Sequence, residues 1–424
     1  MVPNKFQHVI GLGNLPSDWF VITADELTSK ITKGTTPPKS EIVEKSKIPF
    51  LRVNNLSFNG ELNKSSEVIF VTQDAHENFL ARSKAYPGDI LMNIVGPPLG
   101  KISMLDNQYD TYNMNQAIVI YRTDPKLVDA YYFLKFLSSE LAQQWLQSRS
   151  KKTSGQQNLT IQLCKDLPVP VPPLPEQKKI ATILSTWDKA ISTSERLIDN
   201  SKQQKKALMQ QLLTGKKRLL DDSGKPFEGE WEELDLGSVG TIYSGGTPST
   251  KNKEYWDGDI NWITPTDITK QSSVYINSSL RKISSEGLKN SSAKLVPKGS
   301  LLVCTRATIG EMAITAHDMC TNQGFKNIIP NKKGDIVFVY YLLNFYKHRL
   351  ISKASGSTFL ELSKSAFEGI TFNFPVIKEQ YKIATVLANA DKEIDLLEKQ
   401  LSDLKQEKKA LMQQLLTGKK RVLI

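Results

Sequence analysis

From residue 176 the chain repeats a four-three spacing of apolar or small positions. They are Ile180, Leu184, Trp187, Ile191, Ser194, Ile198, Ser201, Lys205, Leu208 and Leu212. From residue 379 the same spacing returns as Ile383, Leu387, Ala390, Ile394, Leu397, Leu401, Leu404, Lys408, Leu411 and Leu415. Alternating steps of four and three make the seam of a coiled coil, narrower than the stripe of a helix lying on a globular core. Lys205 and Lys408 interrupt the two seams at the same place. Pro172, Pro173 and Pro175 mark the approach to the first run, and Gly215 and Gly418 suit left-handed caps after the last seam leucines. Lys216, Lys217 and Arg218 then face the negative end of the helix dipole. The pattern predicts two helices, each about 60 Å long at 1.5 Å per residue.

These helices are copies. Lys205–Arg218 reads KKALMQQLLTGKKR, and Lys408–Arg421, displaced by 203, reads the same. The match extends upstream, pairing Glu176-Gln177 with Glu379-Gln380 and Ile180–Thr182 with Ile383–Thr385. One module is therefore used twice. Before each helix lies a mixed, strand-rich stretch bearing weaker repeat marks. Trp19 pairs with Trp231, Gly34-Thr35-Thr36-Pro37 with Gly245-Gly246-Thr247-Pro248, and Ile48–Val53 with Ile260–Pro265. Tyr86–Leu91 pairs with Pro297–Leu302, Asn115-Gln116 with Asn322-Gln323, Tyr131-Tyr132 with Tyr340-Tyr341, and Ser154-Gly155 with Ser355-Gly356. The displacement drifts along these marks, so loops change length on a kept scaffold. Such loops are where binding specificity usually resides.

Charge narrows the possible partners. The chain has 424 residues and a net charge of +11, which suits a polyanion. Residues 176–220 alone carry +6 of it, so the globular parts are nearly neutral and must use local patches. Cys164, Cys304 and Cys320 form no CxxC pair, and His8, His76, His317 and His348 lack ligand spacing. No apolar run approaches a membrane span and the N-terminus has no secretory pattern, so a cytoplasmic protein is expected. Nucleotide-binding, zinc-protease and nucleophile-elbow motifs are missing. Gly96–Lys101 has the wrong spacing for a phosphate loop, and none of the double prolines completes the tetrapeptide of amino-methyltransferases. No catalytic residue, metal or cofactor is expected.

The order of variable domain, helix ending LLTGKKR, second variable domain and second such helix resembles the specificity subunit of type I restriction–modification systems. The residues that carry it are Gly34–Pro37 and Gly245–Ser249, Asn115-Gln116 and Asn322-Gln323, Pro173–Thr182, Glu379–Thr385 and both helix endings. The first copy departs at Thr35 and Pro38, where the second has Gly246 and Ser249. The resemblance implies an α+β chain with an internal pseudo-twofold repeat. Two mixed α/β target recognition domains, residues 1–172 and 221–375, would be joined by two long antiparallel coiled-coil helices, residues 173–220 and 376–424. Each domain would read half of a bipartite duplex DNA target. The helices would set the spacer and dock two modification (methyltransferase) subunits, with ATP-dependent restriction subunits joining through the complex. Half-sites read from one face lie roughly 34–36 Å apart, within reach of such helices.

Asn and Gln suit adenine edges, Arg suits guanine, and Thr suits a thymine methyl or a phosphate. In the first domain the candidates for DNA contact are Thr36, Lys39, Arg52, Asn54, Asn55, Asn113, Asn115, Lys151, Lys152, Gln156 and Gln157. In the second they are Thr247, Lys251, Thr264, Thr266, Arg306, Thr308, Asn322, Lys326 and Ser357. Gly34, Gly245, Gly155 and Gly356 read as backbone devices. Two other classes fit less well: a fused nuclease, for which the duplication leaves no room, and a coiled-coil scaffold with two protein-binding heads.

Overall fold

A computed structural model describes residues 5–153, 156–271, 273–356 and 360–424, with the backbone alone for residues 151–153 and 156. Four helices organise it: α1 (Ala130–Leu137), α2 (Leu174–Leu212), α3 (Ile336–Phe345) and α4 (Ile377–Leu416). The chain divides into two units, Met1–Arg196 with Lys399–Ile424, and Leu197–Glu398. Each long helix therefore opens in one unit and closes in the other. In the first unit Lys408 pairs with Asp188, and Lys405 with Glu195 at 2.7 Å. In the second Lys205 pairs with Asp391, and Lys202 with Glu398 at 2.7 Å. Numbers rise on one helix as they fall on the other, so α2 and α4 pack antiparallel in both units.

The seam positions meet two environments. Ile180, Leu184 and Leu415 lie in the core of the first unit, and Leu212, Ile383 and Leu387 in that of the second. Ile198 and Ile394 are also buried. Trp187, Ile191, Leu208, Leu397, Leu401, Leu404 and Leu411 are half-buried. Of these, Leu208 packs against the core of the second unit and Leu411 against that of the first. Both helices end alike. Gly215 (φ 69°) and Gly418 (φ 66°) take the left-handed conformation, and the Lys217 and Lys420 N–H groups donate back to Gln211 and Gln414.

The repeated Glu-Gln pair and the closing arginine are explained together. Arg421 clasps the buried Glu176 through two hydrogen bonds of 2.6 and 2.7 Å, and Arg218 clasps the buried Glu379 through two of 2.7 Å. Each clasp ties the end of one long helix to the start of the other. Gln177 accepts from the Asp129 N–H and Gln380 from the Asp335 N–H, at the caps of α1 and α3. Asp129 therefore corresponds to Asp335, Tyr132 to Phe338, and Lys135 to Tyr341. This corrects the sequence pairing of Tyr131-Tyr132 with Tyr340-Tyr341, which is displaced by three residues. Apolar helices match in several registers, and only the capping aspartates fix which one is used.

The main sheets of the two units share an order. In the first, Thr28–Lys33, Ile118–Thr123, Ile90–Asn93 and Ile102–Met104 lie side by side, all antiparallel. In the second, Gly240–Ser244, Phe325–Pro330, Leu301–Cys304 and Met312–Thr315 follow the same order, and Tyr275–Ile276 adds a parallel edge. A smaller sheet accompanies each. Asn113–Met114 runs parallel to Pro49–Leu51, as Cys320–Thr321 does to Trp256–Ile263. Among the described residues no helix is long and apolar enough to cross a membrane.

Candidate nucleic-acid interface

One turn organises the same neighbourhood in each unit. In the first it is Asn115-Gln116, which follows the strand Asn113–Met114. The Gly34 and Thr35 turn lies directly on it, since a Cβ on Gly34 would overlap the carbonyls of Met114 and Asn115. The Thr36 hydroxyl donates to Gln116. Three backbone bonds complete the platform: Asn115 N–H to Leu51 O at 3.0 Å, Ile94 N–H to Ala117 O at 2.8 Å, and Leu159 N–H to Ile94 O at 2.9 Å. They bring in the loop after residue 51, the loop after residue 94, and the hairpin Lys151–Thr153/Gln156–Asn158.

The second unit repeats each contact. A Cβ on Gly245 would overlap the Asn322 carbonyl, and Thr247 donates to Gln323. Asn322 N–H donates to Ile263 O at 3.0 Å, Thr305 N–H to Gly324 O at 2.8 Å, and Leu362 N–H to Thr305 O at 2.9 Å. Four segments thus converge twice, with glycine where backbones touch. The first copy's departure is accommodated locally. The Thr35 hydroxyl accepts from Arg82 at 3.3 Å. At the matching Gly246 any Cβ would strike Ser292, and its carbonyl accepts from the Trp262 indole at 2.9 Å.

The candidate side chains fall into two groups. Asn55 and Asn113 are buried and used internally. Asn55 caps Arg52 and donates to Glu67 O; Asn113 meets His76 at 2.6 Å and donates to Leu80 O and Ser83 O. Asn115 and Asn322 accept from the N–H groups of Ala117 and Gly324 and so shape their turns. Thr264 is bound to Asp267 in a capping box, which leaves Thr266 exposed beside it. Thr36, Lys39, Asn54 and Lys251 are exposed; Arg52, Gln157, Thr247 and Thr308 are half-buried. Lys151, Lys152 and Gln156 lie on the hairpin. Ser357 and Gly155 fall outside the described residues.

The exposed Gln116 and Gln323 were missed as candidates. Their position in the repeated Asn-Gln pair could have singled them out. In the second unit Arg306 is held by Glu361 through its Nε at 3.1 Å and a second guanidinium nitrogen. Beside them Lys326 is 4% exposed. Burial lowers its pKa, Glu361 opposes that shift, and Arg306 and Lys364 reinforce it. The adjoining Ala307 adopts φ 63°, left-handed for a residue with a Cβ. Cys164, Cys304 and Cys320 are buried with free thiols, their pKa values pushed up by burial to about 11, about 12 and about 12.

The same four-segment platform is thus built once in each unit. The chain belongs to the family described as the type I restriction modification DNA specificity domain, whose profile matches residues 16–201 and 228–406. A putative type I restriction enzyme MjaX specificity subunit of Methanocaldococcus jannaschii is 27% identical over 97% of this chain and 96% of its own length. The MjaIX specificity subunit of the same organism is 40% identical, over 40% of each chain. The EcoR124I/EcoR124II specificity subunit of Escherichia coli is 29% identical over 62% of each. The solved S subunit of a type I restriction–modification system from M. genitalium superposes with a TM-score of 0.58 at 17% identity, covering 98% of this chain and 99% of that one. A chain solved in work on assembly and conformational transition of the type I R-M system gives 0.60 at 16% identity, over 96% and 99%. These likenesses show the fold.

Proposed function

We propose that this chain is the DNA-reading subunit of a type I restriction–modification complex and that each platform reads one half of a bipartite duplex target. Residues 1–172 and 221–375 are the recognition domains; residues 173–220 and 376–424 are the spacer helices. The observation that carries this reading is the platform built twice from the same four converging segments. On it, amide, guanidinium and hydroxyl groups offer the chemistry that reads base edges, and lysines offer phosphate contacts. Contacts in the first domain come from Thr36, Lys39, Arg52, Asn54, Gln116, Gln157 and the hairpin. Those in the second come from Thr247, Lys251, Thr266, Arg306, Gln323 and Lys326. Methyl transfer belongs to two separate methyltransferase subunits, one beside each domain. Cleavage belongs to ATP-dependent restriction subunits, and the complex works in the cytoplasm.

Methylome sequencing of cells with and without this chain tests the reading. A split motif that disappears with the chain is the expected result. In vitro, the purified chain binds duplex DNA with steep salt dependence. It methylates nothing with S-adenosylmethionine until methyltransferase subunits are added. Methyl transfer by the pure chain would refute the proposal, and capture of a protein ligand without duplex binding would favour a scaffold.

A further inference from the structure

Both seams contain a charged group where an apolar one would pack, and both resolve it in the same way. In the first unit Asp188 of α2 holds Lys408 of α4 and also Lys135 of α1. In the second Asp391 of α4 holds Lys205 of α2 and accepts from the Tyr341 hydroxyl of α3 at 2.6 Å. The Lys205 ammonium also lies 5.4 Å from the Tyr341 ring centre. Lys135 and Tyr341 occupy equivalent positions one turn into the equivalent helices α1 and α3, and both are almost fully buried. Each aspartate is thus a three-way junction between the two long helices and the recognition domain seated on them.

We propose that Asp188 and Asp391, with Lys135 and Tyr341, are positioning residues that fix the rotational setting of each recognition domain on the helix pair. They thereby make the complex sensitive to spacer length. This rests on the bipartite DNA reading above. Apolar packing is non-directional and tolerates a small rotation of a domain about the helices. The directional bond from the buried Tyr341 hydroxyl to Asp391 does not, and in the first unit the buried Lys135 ammonium is tied to Asp188 as an ion pair; a polar group inside a seam is the best-attested device for choosing one arrangement among near-equals. Nature of the arm differs while its role is kept: an ammonium in one unit, a phenol in the other. The exposed pairs Lys202–Glu398 and Lys405–Glu195 join helix to helix only, so they are built-in controls.

The test uses the full chain with its methyltransferase subunits. The substrates are duplexes with constant half-sites and a spacer varied one base pair at a time. Tyr341→Phe removes one hydroxyl and leaves the Lys205–Asp391 pair; Lys135→Met removes one ammonium and leaves the Lys408–Asp188 pair. Each variant is expected to read the same half-sites. Discrimination against the neighbouring spacers falls by about tenfold, the equivalent of one hydrogen bond to a charged acceptor. Lys202→Gln and Lys405→Gln leave it unchanged. A uniform loss of rate on every spacer, or equal relaxation in the controls, would overturn the proposal. Hydrogen exchange of the free chain reads the junction without DNA. Faster exchange in α3 is expected for Tyr341→Phe, and native exchange there would also overturn it. Should the native complex show no split target, the functional reading fails, while hydrogen exchange still decides the junction.

Discussion

Where the first recognition domain has Val119, the second has Lys326; where the first has Val95, the second has Arg306; where the first has Arg52, the second has Thr264. The backbone beneath each pair is the same, down to the hydrogen bonds from Asn115 and Asn322 that anchor the central turns. Charge has therefore been moved around on a constant frame. The first domain offers its guanidinium at the strand end, and the second offers it at the loop after residue 305. Two unlike half-sites are what such a pair would read. At two of these places a charged side chain in the second domain faces a valine in the first, and at the third an arginine in the first faces a threonine in the second.

The comparison breaks most severely at the frame. Gly245→Ala would drive a Cβ into the Asn322 carbonyl, and Gly34→Ala one into that of Asn115. Backbone against backbone leaves no flexible side chain to give way. Each is expected to cost about 3 kcal/mol or more in denaturant unfolding of its own domain and to abolish reading of its half-site. Asymmetry sharpens the point at the next residue. Gly246→Thr would be as costly, because its Cβ would strike Ser292, whereas Thr35→Gly loses little beyond the contact with Arg82.

Next come the clasps. Arg218→Ala or Arg421→Ala strands a carboxylate with essentially no exposure. Leaving a buried charge unpaired costs about 3–5 kcal/mol. Thermal or urea unfolding of the two variants would measure it. Replacing Glu379 as well, by Met, is expected to restore most of what Arg218→Ala loses. No restoration would mean that the arginine acts through packing rather than charge.

The long helices, their caps and the duplication were legible because they rest on local rules: a heptad, a glycine, a literal repeat. The platform was legible only in part. Asn113 and Asn115 look alike in sequence, yet one is buried against His76 and the other shapes a turn. Two residues apart, they would share a face of one strand; what separates them is that the strand ends at Met114, so Asn115 falls in the turn. The lysines in the seams were visible as interruptions. Their aspartate partners were not, because pairing across an antiparallel helix pair joins residues far apart in the chain, 186 positions for Lys205–Asp391.

Lys326→Val places the first domain's residue in the second. Removing a desolvated ammonium is expected to raise stability by about 1 kcal/mol or more and to weaken duplex binding. The lysine's pKa is lowered in the fold. As pH rises through that value the folded state loses the proton before the unfolded chain does. The unfolded state then holds more protons and native stability rises with pH. The advantage of Lys326→Val should therefore shrink as pH climbs toward the unfolded lysine value. A constant gap across that range would mean that burial does not tax this lysine.

The smallest effect concerns the exposed pairs of the helices. Lys202 and Lys405 are each about half exposed, at 53% and 52%, so water competes with Glu398 and Glu195 and salt screens them. Lys202→Gln and Lys405→Gln are expected to change unfolding free energy by less than about 0.5 kcal/mol, and by nothing measurable in high salt. The sign with pH is opposite to that of Lys326. Glu398 raises the Lys202 pKa, so whatever stability the pair gives is present below the unfolded lysine value and is lost as pH rises through the folded one. Lys205→Gln and Lys408→Gln provide the contrast. Their ammonium groups sit at the seam against Asp391 and Asp188, and their loss leaves a shielded carboxylate short of a partner. If all four substitutions cost the same, the seam lysines would be ordinary surface charges. Their identical placement in both copies would then have no energetic meaning.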